Sequence, residues 1–249
     1  MKNINNKNTE WFEVWFDSPY YHILYKDRDH KEAETFISNL VTFLQPKKDS
    51  LFLDVACGKG RHAMFLNSLG YKVDGFDLSE NSIISAKLKE TTDLHFFTND
   101  IRRPLKVSHY SFAFNLFTSF GYFDDENDNQ KAINAIAESL DKDGTLVLDF
   151  MNCNKVIANL NKQETKIIDG IKFNIKRDFI NGHIVKDINF EADNMPYHFQ
   201  EKVKAIFSET FKGYFSKANL TIESILGDYD LNPFDIDHSD RLILVARKK

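Results

Sequence analysis

The 249-residue chain has only two cysteines and five prolines, and no stretch of apolar residues long enough to form a membrane-spanning helix. Two cysteines are too few for a disulfide framework. Neither Cys57 nor Cys153 stands in a CxxC or a His-interleaved spacing that binds zinc. These absences argue against disulfide-rich secreted, metal-dependent and transmembrane classes. We therefore expect a soluble, cytoplasmic protein with no membrane partner and no metal.

The sequence also lacks an excess of positive charge. Its 32 Lys and Arg residues are outnumbered by 37 Asp and Glu residues, which leaves a net charge of −5. Such a chain has no overall field that attracts a phosphate backbone, so a nucleic-acid partner is disfavoured. Hydrophobic residues make up 42% of the sequence. This is ordinary globular usage and is sufficient for a full core in one large α/β domain.

From residue 51 onward, short apolar runs alternate with helical patterns. Alternation at this spacing is typical of right-handed βαβ crossovers, which build a parallel sheet with helices on both faces. A glycine or an N-capping serine stands at several of the predicted junctions between strands and helices. The predicted strands of this sheet are 51–56, 71–77, 94–98, 111–116, 145–150, 221–227 and 242–247.

Two segments depart from this alternation. Residues 167–178 and 184–191 have hydrophobic residues at every second position around an Asn181-Gly182 turn, which predicts a β-hairpin, with 198–207 as a third antiparallel strand. Near the start, an aromatic cluster interrupted by Pro19 predicts a short helix and a turn ahead of an amphipathic helix. We divide the chain into an N-terminal helical lid (1–45), a cofactor-binding core (46–158), an antiparallel β insert over the substrate (159–207) and a return to the sheet (208–249).

The sequence Asp54-Val-Ala-Cys-Gly58-Lys-Gly60 follows the first predicted strand. Glycines allow a sharp turn and leave room for a ligand, and the next helix offers free N–H groups. Gly58-x-Gly60-x-x-Ala63 also matches the dinucleotide fingerprint. An NAD-dependent oxidoreductase is therefore one alternative.

Three carboxylates favour a different nucleoside ligand. Asp54, Asp77 and Asp100 lie at or just after the ends of three successive predicted strands. Asp54 can accept an ammonium group and would repel a pyrophosphate, Asp77 can accept both ribose hydroxyls, and Asp100 can accept an adenine amino group. Because the ends of parallel strands line one crevice, these side chains are expected to share a site.

The segments LDVACGKGRHAMFLNSLGYKVDGFDLS, FFTNDIRR, NLFTSFGYF and SLDKDGTLVLDFMN resemble those of class I S-adenosylmethionine-dependent methyltransferases. The resemblance implies a Rossmann-like, seven-stranded, mostly parallel sheet with its last strand antiparallel, and S-adenosylmethionine as cofactor, leaving S-adenosylhomocysteine. YYHILYKDRDHKEA looks like the N-terminal lid of small-molecule members, which implies that Arg28 pairs with the cofactor carboxylate. The implied cofactor contacts are Tyr21, Arg28, Asp54, Ala56, Gly58, Gly60, Asp77, Leu78, Asp100, Ile101, Asn115 and Leu116.

A sulfonium methyl group is already activated, so in-line positioning supplies most of the rate, and a base is needed only for a protonated nucleophile. Candidate bases or orienting groups are Tyr21, Tyr122 and His198, with His238 also considered. The β insert resembles those of glycine-type and amino-sugar N-methyltransferases. We predict a small-molecule acceptor, with an amine nitrogen as the first choice and a hydroxyl oxygen as the second.

Other functions of the same superfamily remain open. Methyltransferases that act on nucleic-acid amines carry an Asn/Asp-Pro-Pro-aromatic loop after the fourth strand, where this chain reads Asn115-Leu-Phe-Thr118. An RNA or protein methyltransferase, or a non-catalytic S-adenosylmethionine-binding protein, is the alternative. Both a monomer and a homodimer are compatible with the sequence.

Overall fold

The computed structural model describes residues 10–26 and 30–249. The helices are α1 (Trp11–Phe16), α2 (Pro19–Leu24), α3 (His30–Leu44), α4 (Arg61–Ser68), α5 (Glu80–Lys87), α6 (Glu126–Ser139), α7 (Cys153–Ala158) and α8 (Ser208–Lys217). The strands are β1 (Leu51–Val55), β2 (Lys72–Asp77), β3 (Leu94–Thr98), β4 (Tyr110–Asn115), β5 (Leu140–Met151), β6 (Gln163–Ile168), β7 (Ile171–Ile180), β8 (His183–Ala192), β9 (Met195–Lys204), β10 (Leu220–Leu226) and β11 (Arg241–Lys248).

Seven strands form one sheet in the order β10-β11-β5-β4-β1-β2-β3. β1 pairs in parallel with both β2 and β4, whereas β11 runs antiparallel to β5 and to β10. The predicted mostly parallel sheet with an antiparallel last strand is confirmed. The carboxyl ends of β1, β2, β3, β4 and β5 therefore meet at one edge, where α/β sheets bind their ligands.

Successive residues of the central strands enter different hydrophobic clusters, because side chains alternate across a sheet. Leu146 and Leu148 of β5 pack in a cluster that includes α6 and α8, and Val147 packs in one that includes α3 and α4. Both faces are thus covered. The full burial of β5 explains why its sequence reads as a nearly continuous apolar run.

The β insert contains four strands rather than the three predicted. They form a separate antiparallel sheet in the order β6-β7-β8-β9. A turn at Asp169 and Gly170, both with positive φ (50° and 80°), divides the segment predicted as one strand over 167–178. Ile167 has the same parity as the alternating Ile171, Phe173 and Ile175, which concealed the turn, although Asp-Gly is a strong hairpin signal.

The aromatic N-terminal segment forms two short helices rather than a helix and a turn. Pro19 begins α2 instead of ending a helix, since the first helical position tolerates a missing N–H. Ser18 caps α2 by accepting a hydrogen bond from the backbone N–H of Tyr20. Trp15 and Leu24 pack on the four-stranded sheet, so α1 and α2 lie against the insert. Arg28 lies outside the described residues.

Within residues 10–26 and 30–249, no helix has both the length and the apolar character needed to cross a membrane. Nor does that part of the chain bring together three His, Cys, Asp or Glu side chains that could hold a metal ion.

Candidate functional site

A cavity of about 660 Å³ opens at the carboxyl edge of the seven-stranded sheet. The loops after β1, β2, β3 and β4 form its floor, aromatic side chains of α1 and α2 cover it, and β9 of the insert closes one side. Its size lies in the range of about 300–1,000 Å³ that is usual for small-molecule sites. Arg241 also lines the cavity, so residues from all four predicted parts of the chain contribute to it.

The loop between β1 and α4 requires left-handed backbone at Ala56, Gly58 and Gly60 (φ 57°, 56° and 81°). The Gly58 N–H donates to Oδ2 of Asp77 over 2.8 Å, which joins the loop to the end of β2. Gly58 and Ala56 line the cavity. Gly60 lies behind them, where a Cβ atom would stand 2.4 Å from the Phe96 ring, so its role is to allow the turn.

Asp54 and Asp77 both line the cavity, Asp54 fully buried and Asp77 half-buried. Oδ2 of Asp54 accepts the backbone N–H of Ala63 over 3.1 Å, and Oδ1 of Asp77 accepts that of Ser79 over 2.9 Å. Burial is the main cause that raises the pKa of Asp54 to about 7, and burial also raises the pKa of Asp77. Neither carboxylate forms an ion pair among the described residues, so each can accept a cationic or hydroxyl group of a ligand.

Asp100 lines the same cavity but has a different environment. Its carboxylate accepts hydrogen bonds from Nε and Nη2 of Arg102. Nη1 of Arg102 pairs with Asp128 over 2.8 Å. Burial alone would raise the pKa of Asp100, but the hydrogen bonds and charge of Arg102 outweigh it and lower the pKa. Leu78 and Ile101, which follow β2 and β3, line the cavity beside it.

Asn115 does not line the cavity, although Leu116 does. The buried Asn115 side chain donates to the carbonyls of Val55 (3.1 Å) and Ser119 (3.2 Å). It therefore joins the ends of β1 and β4 and fixes the loop that carries Leu116. Oδ1 of Asn115 has no hydrogen-bond partner among the described residues, and the predicted cofactor contact of Asn115 stays a prediction.

Two of the three predicted catalytic residues are at the cavity, and the third is not. Tyr21 and Tyr122 belong to a set of rings that we call the aromatic wall, and the Tyr122 hydroxyl donates to the Thr118 carbonyl over 2.6 Å. The ring centroids of neighbouring wall residues are 5.0–6.1 Å apart, from Phe16–Tyr21 at 5.0 Å to Phe12–Tyr122 at 6.1 Å. The aromatic wall consists of Trp11, Phe12, Phe16, Tyr21, Tyr122 and Phe123.

His198 lies on the outer face of β9, where Nε2 is 3.1 Å from Asp187, and does not contact the cavity. Side chains alternate along a strand, so Glu201 and Val203 point inward and His198 does not. This removes His198 as a catalytic candidate. His238, 85% exposed in its side chain, is also outside the cavity.

Sequence reasoning missed Glu201, whose carboxylate lines the cavity from the insert. Its Oε1 accepts the Trp15 indole N–H over 2.8 Å and the Tyr25 hydroxyl over 2.6 Å, and its Oε2 is 3.4 Å from Lys186. The sequence does contain a signal for Glu201. The period-two pattern of β9 places residue 201 on the same face of the strand as the apolar Phe199 and Val203.

Sequence reasoning also missed a buried ion pair at the opposite side of the cavity. Nε of Arg241 donates to Oδ1 of the fully buried Asp149 over 2.7 Å, and Nη2 donates to the Thr118 hydroxyl over 2.8 Å. Asp149 also accepts the Phe117 N–H over 2.8 Å. Phe117 and Thr118 both have positive φ (57° and 61°), so this pair holds the loop after β4 in an uncommon conformation.

Comparisons with known proteins agree with this arrangement. Residues 52–144 match the family model described as a methyltransferase domain. The chain is 28% identical over 124 residues to dTDP-3-amino-3,4,6-trideoxy-alpha-D-glucopyranose N,N-dimethyltransferase of Streptomyces venezuelae, a match that covers 50% of this chain and 52% of that protein. The chain spans between 52% and 59% of the length of the sequence relatives it matches.

Solved structures extend the likeness over most of the chain. An S-adenosylmethionine-dependent methyltransferase from Clostridium acetobutylicum has a TM-score of 0.76 at 19% identity and covers 92% of this chain and 96% of its own. The S-adenosylmethionine-bound amino pentose methyltransferase CalS10 from Micromonospora echinaspora has a TM-score of 0.72 at 15% identity, covering 93% and 98%. At these identities the likeness establishes the fold.

Residues 52–144 thus match a methyltransferase domain, and the chain has the fold of S-adenosylmethionine-dependent methyltransferases of known structure. The fold predicted from the sequence is confirmed, and the domain match agrees with the predicted methyltransferase rather than with the NAD-dependent alternative.

Proposed function

We propose that the protein transfers a methyl group from S-adenosylmethionine to a small-molecule acceptor, with an amine nitrogen as the preferred nucleophile and a hydroxyl oxygen as the second choice. The observation that carries this proposal is a cavity lined by the buried Asp54, the half-buried Asp77 and the aromatic wall. The carboxylates can accept hydrogen bonds from the cofactor, and the aromatic rings can pack against the acceptor.

The donor set of the cavity fits S-adenosylmethionine. Oδ1 of Asp54 has no hydrogen-bond partner within the described chain, so it is available to an ammonium group, which would also stabilise the ionised carboxylate. Asp77 follows β2 and can accept two hydroxyls in addition to its backbone partners. A Cβ at Gly58 would meet no atom within 4 Å, so the loop leaves open space for a ligand.

The carboxylate of Asp54 argues against NAD, since it would repel a pyrophosphate at this turn. The Asp54 carboxylate instead favours a ligand with a positively charged group at this turn, the position at which a dinucleotide has its negatively charged pyrophosphate. We infer that Asp54 and Gly58 hold the amino-acid moiety, that Asp77 and Leu78 hold the ribose, and that Asp100 and Ile101 lie against the adenine.

The enclosure of the cavity supports a small acceptor. The rings of α1 and α2 cover it and Glu201 of the insert closes one side, which leaves little room for a polymer. Aromatic faces favour a cationic amine product, because a positive charge over a ring is stabilised by about 0.5–2 kcal/mol. The named substrate of the Streptomyces venezuelae relative is an amino sugar, which agrees with an amine acceptor.

When bound, the cofactor supplies an activated methyl group, and the chain's own residues orient the acceptor and exclude water. The aromatic wall desolvates the nucleophile. The Tyr122 hydroxyl is the candidate group for orienting it, and its present partner is the Thr118 carbonyl. Tyr21, whose ring packs against Phe16 as the Tyr122 ring does, belongs to both the predicted cofactor contacts and the predicted catalytic set.

The first test compares cofactors by isothermal titration calorimetry. We expect saturable binding of S-adenosylhomocysteine and none of NADH. The opposite pattern, or binding of neither compound, would remove the methyltransferase proposal. The amine preference is tested separately: the methylated product is separated from unreacted S-adenosylmethionine, and mass-spectrometric fragmentation assigns the new methyl group to nitrogen or to oxygen.

A further inference from the structure

Asp17 lies at the end of α1 and contacts the beginning of α5. Its Oδ1 accepts a hydrogen bond from the Ser79 hydroxyl over 2.6 Å and another from the Asn81 backbone N–H over 3.3 Å. Its Oδ2 accepts one from Nδ2 of Asn81 over 2.6 Å. One carboxylate therefore attaches a helix that covers the cavity to the segment that follows β2.

Ser79 connects Asp17 to the carboxylate that we assign to the ribose. The Ser79 N–H donates to Oδ1 of Asp77 over 2.9 Å. Its hydroxyl donates to Asp17 and accepts the Ser82 N–H over 3.1 Å. Hydrogen bonds to an ionised carboxylate are about twice as strong as those between neutral groups, so these partners fix the orientation of Ser79. A displacement of Asp17 is therefore transmitted to Asp77 through a single residue.

The charges around Asp17 favour its contact with α5 when Asp77 holds a ligand. Among the described residues Asp17 forms no ion pair, and its donors belong to the first turn of α5, which carries partial positive charge. The ionisable groups that face it are Asp77, beyond Ser79, and His22 on α2. Ligand hydroxyls that donate to Asp77 reduce the repulsion between the two carboxylates. Ligand binding at Asp77 and the attachment of α1 therefore stabilise each other.

The insert holds the same turn of α1 at a second place. Nε1 of Trp15, two residues before Asp17, donates to Glu201 over 2.8 Å. Phe16, which stands between them in the sequence, lines the cavity. The end of α1 thus extends from the insert to α5. A ligand that is held by Asp77 lies next to one of these two attachments.

We propose that Asp17 is a positioning residue of the cofactor site. It holds α1 over the bound nucleoside and, through Ser79, fixes the carboxylate of Asp77 that receives the ribose hydroxyls. The nucleoside enters and leaves while Asp17 is detached from α5, so this contact controls the rates of binding and release. The inference rests on the proposed function, since it concerns the cofactor of the same cavity.

The test measures the rates of ligand binding and release by stopped-flow fluorescence. The chain has two tryptophans, Trp11 and Trp15, and both lie on α1, so their emission reports on this helix. The ligands are S-adenosylhomocysteine and 5′-methylthioadenosine, which lacks the amino-acid moiety but keeps the ribose. The variants are Asp17→Ala and Asp17→Asn, which keeps one acceptor oxygen. Glu13→Ala, at an exposed position of the same helix, is the matched control.

Both ligands should dissociate from Asp17→Ala about tenfold faster than from the unmodified protein, because three hydrogen bonds to a charged acceptor are lost. Association should also become faster, because α1 is detached for more of the time, whereas damage to the site would slow association. We expect Asp17→Asn to lie between these two proteins and Glu13→Ala to match the unmodified one. Thermal unfolding checks that each variant is folded.

Unchanged dissociation from Asp17→Ala, or slower association with both Asp17 variants, would overturn the proposal. An effect on S-adenosylhomocysteine alone would also overturn it, because it would place Asp17 at the amino-acid moiety rather than at the ribose. If the unmodified protein binds neither ligand, the proposed function fails. Normal binding by the unmodified protein with unchanged rates in the variants contradicts the role of Asp17 alone, so the two failures are distinct.

Discussion

Asp54 lines the cavity without an ion-pair partner among the described residues. It is buried, it accepts one backbone N–H, and its pKa is raised to about 7. A ligand ammonium prefers the ionised carboxylate. The protein must therefore release a proton from Asp54 to bind S-adenosylhomocysteine at low pH, whereas above pH 7 this carboxylate is already ionised.

We expect the affinity for S-adenosylhomocysteine to be constant above about pH 8 and to fall by up to about tenfold for each pH unit below the pKa of Asp54. Calorimetry between pH 5.5 and 8.5 measures this slope. Asp54→Asn should bind more weakly at pH 8 and lose most of the pH dependence. Equal slopes in the two proteins would show that another group, such as the neighbouring His22, is responsible.

The same substitution should stabilise the fold. The folded-state pKa of Asp54 lies above its unfolded value, so ionisation costs stability as pH rises from about 4 to 7, and the full cost is present above pH 7. Asn can still accept the Ala63 N–H without carrying a charge. We expect Asp54→Asn to raise the free energy of unfolding by about 1–3 kcal/mol at pH 8 and to have little effect at pH 4. Urea unfolding at both pH values tests this; a loss of stability at pH 8 contradicts it.

Asp77 provides the second residue-scale prediction. Its carboxylate accepts the Gly58 and Ser79 N–H groups, and it is assigned to the ribose hydroxyls. Asp77→Ala should weaken S-adenosylhomocysteine binding by about 1–3 kcal/mol, the value of hydrogen bonds to a charged acceptor. The exposed Asp230→Ala serves as the control. Unchanged affinity in Asp77→Ala, measured by calorimetry on the folded variant, would remove Asp77 from the site.

At the scale of single elements, the turn between β1 and α4 depends on Gly60. This residue has a φ of 81°, and a Cβ would stand 2.4 Å from the Phe96 ring. We expect Gly60→Ala to cost about 2–4 kcal/mol, because strain and overlap add. Gly170→Ala is the matched control, since Gly170 has a φ of 80° with nothing within 4 Å of its Cβ, and it should cost about 1 kcal/mol. Equal losses in thermal unfolding would contradict the role of Phe96.

The elements also show what the sequence can predict. The strands β1 to β5 and the Gly-rich turn were predictable within about two residues at most ends, because apolar runs and caps are local signals. The turn at Asp169–Gly170 and the inward face of β9 were not predicted. Predicting either feature requires knowing which face of the insert packs against α1 and α2. That packing is a long-range contact, which a local sequence pattern does not reveal.

At the scale of the molecule, Glu201 connects α1 and α2 to the insert. It accepts hydrogen bonds from Trp15 and Tyr25 and lies beside Lys186. Glu201→Gln removes the negative charge that accepts these hydrogen bonds. The helices α1 and α2 should therefore separate from the insert more often. We expect faster hydrogen exchange over residues 11–24 and unchanged exchange in β1, β4 and β5, measured by mass spectrometry. The surface variant Glu223→Gln should change neither region; protection that remains equal over 11–24 would contradict the connection.

The site as a whole was only partly predictable. Asp54, Gly58 and Asp77 follow from motifs at strand ends, whereas Glu201 and Arg241 come from segments about 150 and 190 residues further along the chain. No local pattern marks these two residues. They reach the cavity because the insert folds over the edge of the sheet and because β11 inserts between β5 and β10.

The central claim is methyl transfer to a small molecule. The most direct test incubates the purified protein with methyl-labelled S-adenosylmethionine and a host-cell extract, and then separates metabolites, RNA, DNA and protein. We predict label in a metabolite, with the methyl group on an amine nitrogen. Label in RNA, DNA or protein, or no label in any fraction although S-adenosylhomocysteine binds, would contradict the claim.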